Sequence, residues 1–126
     1  MNRFLNNKTI VMILLKEYYA NTKTICRHVS LQVGNMYGIK TNKIRNNKCR
    51  DKDTVEARQI IAFFLCVYED LNMDAIASFL GCSDHSWVRY AINNISDKIE
   101  AYDEWNEKMN KVRNQIYNLD RKEVLA

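Results

Sequence analysis

The chain has 126 residues, 47% of them hydrophobic and 27% charged, a balance typical of one folded, soluble domain that excludes a disordered chain. With no proline, three glycines and no β-hairpin signal, it has the composition of an all-α fold. The net charge of +4 is unevenly distributed: residues 1–58 carry twelve Lys and Arg against four Asp and Glu, whereas residues 59–126 carry seven against eleven. Because the acidic second part would repel DNA, any nucleic-acid-binding surface is expected to cover only a limited part of the protein.

The first half of the chain predicts two helices and a short turn. A first helix is expected over residues 10–20, and Asn21 or Thr22 is expected to cap a second helix that stops at Gly38. A turn over residues 41–44 then leads into a polar linker. The predicted inner face of the second helix consists of Ile25, Val29, Val33 and Met36.

The middle of the chain contains its longest apolar feature. The polar linker, residues 45–53, ends where a helix is expected to begin at Asp53 or Thr54. Its segment IIAFFLCVY is hydrophobic on nearly every side, which predicts a central helix packed against several others. A short helix over residues 73–80 follows, and Gly81 is expected to close it.

Two amphipathic helices complete the predicted fold. One begins at Ser83 or Asp84 with the inner face Val88, Ile92, Ile95, Ile99 and Tyr102. The other covers residues 104–119 with the inner face Trp105, Met109, Val112, Ile116 and Leu119. The predicted organisation is an extra N-terminal helix (1–21), a main domain (22–102) and a C-terminal helix packing on the same domain (103–126).

Residues 73–102 form a short helix, a glycine-containing turn and a longer helix, which is the helix-turn-helix pattern. The corner between two helices of any bundle has the same spacing, so the pattern alone leaves that alternative open. The composition of the second helix favours DNA, because no position between Asp84 and Ile95 is acidic. Its polar face consists of His85, Ser86, Arg89, Tyr90, Asn93 and Asn94.

The segments VEARQIIAFFL and MDAIASFLGCSDHSWVRYAINNI resemble the C-terminal DNA-binding domain of the bacterial replication initiator DnaA. Upstream, YGIKTNKIRNNKCR is similar to the family's short element and the Lys/Arg-rich loop that ends it. The resemblance covers roughly residues 25–102. It implies an all-α, Trp-repressor-like helix-turn-helix bundle of about six helices that binds double-stranded DNA sequence-specifically and without catalysis.

The resemblance also implies roles for individual residues. Arg50 falls where the family places a cation that reaches into the minor groove, a position favoured by the negative potential of narrow grooves. Arg58 and Gln59 fall on a pair that meets the DNA backbone and nearby bases, and Asp84 and His85 fall on a base-reading pair. The predicted DNA-binding residues are Lys48, Arg50, Arg58, Gln59, Asp84, His85, Ser86, Trp87 and Arg89.

Several positions depart from the family pattern. Trp87 stands where the family has a second Thr, Asp74 where it has a proline near the DNA backbone, and Cys66 where some members have a Lys. Asn93 and Asn94 also stand where basic residues are common in the family. These departures favour the alternative, a DnaA-like helical module that has lost DNA binding and docks to replication-initiation proteins, whereas the retained basic and base-reading positions favour DNA.

Other features define what else is expected. The chain has no GxxxxGK[ST] loop of the kind that the initiator's ATPase module needs, so we expect a stand-alone bacterial or phage regulator of replication or transcription, not an ATPase. The thiol of Cys82 and the imidazole of His85 could pair as a nucleophile and base, but no oxyanion hole accompanies them and no catalytic residue is predicted. The N-terminal helix either packs on the domain or forms a homodimer contact.

The cysteines and the N-terminus indicate the compartment. The four cysteines are far apart and lack CxxC spacing, which indicates free thiols in a reducing environment and no zinc site. The chain has no secretory signal, and its apolar stretch at residues 10–15 is too short to span a membrane. We therefore expect a cytoplasmic, nucleoid-associated protein without a metal, a cofactor or membrane contact.

Overall fold

A computed structural model of the chain describes residues 22–82 and 84–117, which form six helices and no strand. In chain order these helices are α1 (Thr22–Tyr37), α2 (Thr41–Ile44), α3 (Lys52–Val67), α4 (Met73–Leu80), α5 (His85–Ala101) and α6 (Asp103–Tyr117). The predicted all-α fold is confirmed. The predicted first helix, its dimer contact and Leu119 lie outside the described residues. Within the described part, no helix is both long and apolar enough to cross a bilayer.

Helix α3 is the centre of the bundle, as its sequence predicts. Nine consecutive residues, 57–65, are buried, and α3 packs against α1, α2, α4 and α5. Burial of each large apolar side chain of this helix, such as Phe64, stabilises the fold by roughly 1.5–3 kcal/mol. Helix α6 adds Trp105, Met109 and Val112 to the same core, while the predicted domain division at residue 102 stays a prediction.

Two residues of the predicted inner faces were assigned wrongly. Val29 and Val33 of α1 are buried, but Met36 is 40% exposed and Tyr37 packs against the core instead. Because an α-helix turns by about 100° per residue, residues 26, 29, 33 and 37 share the buried face of α1, and Met36 lies outside that face. Tyr102 is 56% exposed because α5 ends one residue before it and its own backbone is extended.

The start of α3 also differs from the prediction. Its N-cap is Asp51, two residues before the predicted start, and the Asp51 carboxylate accepts hydrogen bonds from the backbone nitrogen and the hydroxyl of Thr54. The bond from the Thr54 hydroxyl is the largest cause that lowers the pKa of Asp51. Both glycine stops are correct, since Gly38 and Gly81 adopt left-handed conformations with φ of 68° and 75°.

The carboxylate of Glu56, on the central helix α3, is expected to make the free energy of unfolding depend on pH. Glu56 accepts hydrogen bonds from the hydroxyl of Tyr37 and, at 3.1 Å, from the ammonium of Lys108, which connects α3 to α1 and α6. Burial acts to raise the pKa of Glu56, but the bonds from Tyr37 and Lys108 outweigh it and lower the pKa. A lowered folded-state pKa gives stability that is present above the unfolded value, about 4.3, and is lost as the pH falls through the folded value.

We therefore expect Glu56→Gln to lower the free energy of unfolding at neutral pH by about 1 kcal/mol and to flatten its decline below about pH 4.5. Denaturant unfolding followed by circular dichroism over a pH series measures both effects. Glu107→Gln, an exposed position on α6, is the control. An acid decline equally steep in the Glu56 variant and the wild type would contradict this assignment.

Candidate nucleic-acid interface

A segment with three exposed cations, residues 45–51, connects α2 to α3 and is called the basic loop below. Arg58 of α3 holds its backbone. This side chain is 4% exposed, and its Nε donates to the carbonyl oxygen of Ile44 at 2.8 Å. Its Nη2 donates to the carbonyl oxygens of Asn46 at 2.8 Å and Cys49 at 3.1 Å. One guanidinium therefore sets the path of the loop, and its burial lowers the pKa of Arg58.

The basic loop is also tied to the end of α4 and to the turn between α4 and α5. Arg45 Nε donates to the carbonyl oxygen of Phe79 at 2.7 Å, and the guanidinium carbon lies 4.2 Å from the centre of the Phe79 ring. Asn47 Nδ2 donates to the carbonyl oxygen of Gly81 at 2.9 Å. Lys48 and Arg50, both exposed, are thereby carried on a segment packed beside the turn. Sequence reasoning missed both anchors because each partner lies 34 residues away.

The two left-handed glycines provide a matched test of this contact. A Cβ atom at Gly81 would lie 2.7 Å from the carbonyl oxygen of Arg45, whereas one at Gly38 would meet nothing within 4 Å. Gly38→Ala is expected to lower the free energy of unfolding by about 1 kcal/mol, the cost of a left-handed alanine. Gly81→Ala has the same backbone cost and also displaces the basic loop, so the decrease in its free energy of unfolding should be about twice as large.

Thermal unfolding compares the stabilities, and binding to duplex DNA shows whether the loop has moved. We expect weaker binding only for the Gly81 variant. Equal stability and equal binding of the two variants would contradict the role of the loop contact.

The N-terminal end of α5 has the exposed polar surface that the sequence predicts. Asp84 is its N-cap, and the carboxylate accepts a hydrogen bond from the backbone nitrogen of Ser86 at 2.8 Å. This bond is the largest cause that lowers the pKa of Asp84. His85, Ser86 and Arg89 are exposed on the first two turns, while Trp87 is half-buried against the core.

His85 makes a contact that sequence reasoning did not find. Its Nδ1 lies 3.1 Å from Oδ1 of Asp74, a residue in the first turn of α4. The departure from the family pattern at Asp74 thus places a carboxylate against a predicted base-reading side chain. The pair joins the two helices of the helix-turn-helix at their N-terminal ends.

Arg58 and Gln59 are placed differently from the other predicted residues. Gln59 is 6% exposed, and its Oε1 accepts a hydrogen bond from Nδ2 of Asn94 at 2.6 Å, which joins α3 to α5. Both side chains are therefore occupied by contacts inside the protein. The structure gives them a role in positioning the basic loop and α5, and their direct contact with DNA stays a prediction.

The surroundings of Cys82 do not favour a nucleophile. Burial is the largest cause of the raised pKa of the Cys82 thiol, with Arg58 lowering it and Asp84 raising it. A thiol with a raised pKa has little of the thiolate form that attacks electrophiles. Among residues 22–82 and 84–117, no three His, Cys, Asp or Glu side chains are grouped to hold a metal ion.

Comparison with known proteins gives one family model and several relatives that share a name. A family model described as the bacterial dnaA protein helix-turn-helix matches residues 23–95. The chromosomal replication initiator protein DnaA of Campylobacter concisus is 31% identical over 111 residues, which are 86% of this chain and 24% of that protein. The protein of the same name from Streptococcus agalactiae is 30% identical over 88 residues, or 70% of this chain and 19% of that protein. The chain thus spans a quarter or less of the length of these relatives.

Proposed function

The chain belongs to the bacterial DnaA helix-turn-helix family, and on this premise we propose that it binds double-stranded DNA sequence-specifically and without catalysis. The observation that carries the proposal is the bond from Asn47 to Gly81, which holds a cationic loop beside the turn that leads into α5. An exposed helix N-terminus and an adjacent cationic segment suit two neighbouring contacts on one duplex.

Each part of this surface has a physical role in the proposal. The N-terminal end of α5 enters the major groove, where the Asp84 carboxylate accepts a hydrogen bond from a cytosine amino group and His85 meets a neighbouring base edge. Arg89 contacts a phosphate one turn further along the helix. Arg50 enters the adjacent minor groove, and Lys48 neutralises a phosphate beside it.

The cellular role follows from the kind of relatives. The relatives are named chromosomal replication initiator proteins, and this chain matches only a part of each. We infer a bacterial or phage regulator that acts at the nucleoid in replication initiation or in transcription. Replication-initiation proteins are the partners to be tested first.

Fluorescence anisotropy over a salt series tests the proposal. Labelled probes are a randomised duplex pool, an A·T-rich duplex and single strands of the same sequences. If Lys48 and Arg89 each neutralise one phosphate and Arg50 in the minor groove neutralises the equivalent of one more, the slope of log K against log salt is about −2.7. Affinity should then fall about 40-fold between about 50 and 200 mM salt.

Preference for duplex over single strands, with that slope, is the expected result. Absence of duplex binding at low salt would overturn the proposal. The alternative function, docking to replication-initiation proteins, would then be tested by measuring binding to those proteins.

A further inference from the structure

The contact between Asp74 and His85 determines where the imidazole carries its hydrogen. Asp74 Oδ1 lies 3.1 Å from His85 Nδ1. An ionised carboxylate can only accept hydrogen bonds, so Nδ1 must be the donor. In the neutral imidazole the second nitrogen, Nε2, then has no hydrogen and acts as an acceptor.

We propose that Asp74 is a positioning residue that determines which base edge His85 reads, by fixing this tautomer. The inference rests on the proposed DNA binding. In the major groove only the amino groups of cytosine and adenine donate hydrogen bonds, while guanine and thymine present oxygen or nitrogen acceptors. A neutral His85 with Nε2 as acceptor therefore selects an amino group of cytosine or adenine. The opposite tautomer would instead donate to an acceptor of guanine or thymine, or to N7 of adenine, and would disfavour cytosine.

The neighbouring groups support Asp74 as the partner that matters. The carboxylate of Asp84 is also close to His85, but it already accepts a hydrogen bond from the Ser86 backbone. The side chains of His85 and Asp74 are 48% and 78% exposed, so the pair contributes little to the stability of the free protein. The pair is expected to act in the complex with DNA, because water leaves the groove there and an unpaired hydrogen-bond donor or acceptor then costs binding free energy.

Nitrogen NMR of protein labelled at histidine tests the tautomer without DNA. At a pH where both imidazoles are neutral, we expect His85 to be protonated at Nδ1. His28 is an internal reference of the opposite kind, because its Nε2 lies 2.9 Å from the carbonyl oxygen of Ile116, which can only accept. Asp74→Ala should move His85 toward the Nε2-protonated form and leave His28 unchanged.

The charge control is Asp97→Ala, which removes an exposed carboxylate about 18 Å further along α5 and should change neither histidine. A His85 pattern that is the same in the wild type and the Asp74 variant would overturn the inference.

Selection from a randomised duplex pool tests the consequence for base reading. At one position, wild-type protein and the Asp97 variant should prefer cytosine or adenine over guanine and thymine. Asp74→Ala should raise the ratio of guanine or thymine to cytosine at that position by about tenfold, while other positions keep their preference. The ratio between sequences is the readout, because loss of a carboxylate near phosphates also raises affinity for every sequence.

The outcomes separate the inference from the function on which it rests. An unchanged preference in an Asp74 variant that binds DNA overturns the inference alone. Failure of the wild type to bind any duplex overturns both the base reading and the proposed function.

Discussion

Arg58→Ala is expected to lower the free energy of unfolding by about 3 kcal/mol and to weaken duplex binding at least tenfold where the variant is still folded. The variant removes one nearly buried guanidinium that donates three hydrogen bonds to the backbone at residues 44, 46 and 49. Bonds from a charged donor are each worth about 1.5–3 kcal/mol, and water replaces part of that loss at the surface. Denaturant unfolding and anisotropy at low temperature measure the two effects.

Two variants separate the positioning role of Arg58 from a contact with DNA. Arg58→Lys keeps the charge but cannot reach three carbonyls at once, so it should lose most of the same stability and affinity. Arg89→Ala removes an exposed cation from α5 and should weaken binding with the free energy of unfolding nearly unchanged. Weak DNA binding by Arg58→Ala with wild-type stability would contradict the role in holding the loop.

Arg50→Ala is expected to weaken binding to A·T-rich duplexes by about tenfold or more and to reduce the magnitude of the salt slope by about one. Arg50 is exposed on the basic loop, next to Asp51, the cap of α3, and its side chain is available to a groove or a phosphate. Stability should not change, because no buried contact is lost. Anisotropy with A·T-rich and G·C-rich duplexes of equal length measures the effect.

The matched control for Arg50 is Lys111→Ala, which removes another exposed cation, on α6. It should leave both the affinity and the salt slope unchanged. Arg50→Lys should restore the slope but not the preference for A·T-rich duplexes, because ammonium ions enter narrow minor grooves less readily than guanidinium ions. Equal effects of the Arg50 and Lys111 changes on binding would show that net charge alone matters.

Local patterns in the sequence predict most of the fold. The helical spacing of apolar residues identifies the buried faces of α5 and α6, and the unbroken apolar run identifies α3 as the central helix. Gly38 and Gly81 mark two helix ends correctly because left-handed backbone strongly favours glycine. Met36 was placed on the buried face wrongly because two neighbouring faces of a helix with so few turns fit the same spacing of apolar residues.

The connections across the candidate site could not be predicted in the same way. The bonds from Arg45 to the end of α4, from Asn47 to the turn and from Asn94 to Gln59 join residues more than thirty positions apart. No local periodicity records such contacts, because they arise only when α3, α4, α5 and the loop pack together. The pairing of Asp74 with His85, eleven positions apart, likewise depends on how α4 and α5 pack, although the sequence marks each residue individually.

Selection of binding sites from a randomised duplex pool is the most direct test that the N-terminal end of α5 and the basic loop read one DNA site together. We expect wild-type protein to enrich a single motif that combines a few specified base pairs with an adjacent A·T-rich segment. His85→Ala should erase preference at the specified pairs, and Arg50→Ala should erase it in the A·T-rich segment. Binding without enrichment of any motif, or a motif unchanged in both variants, would contradict the joint reading.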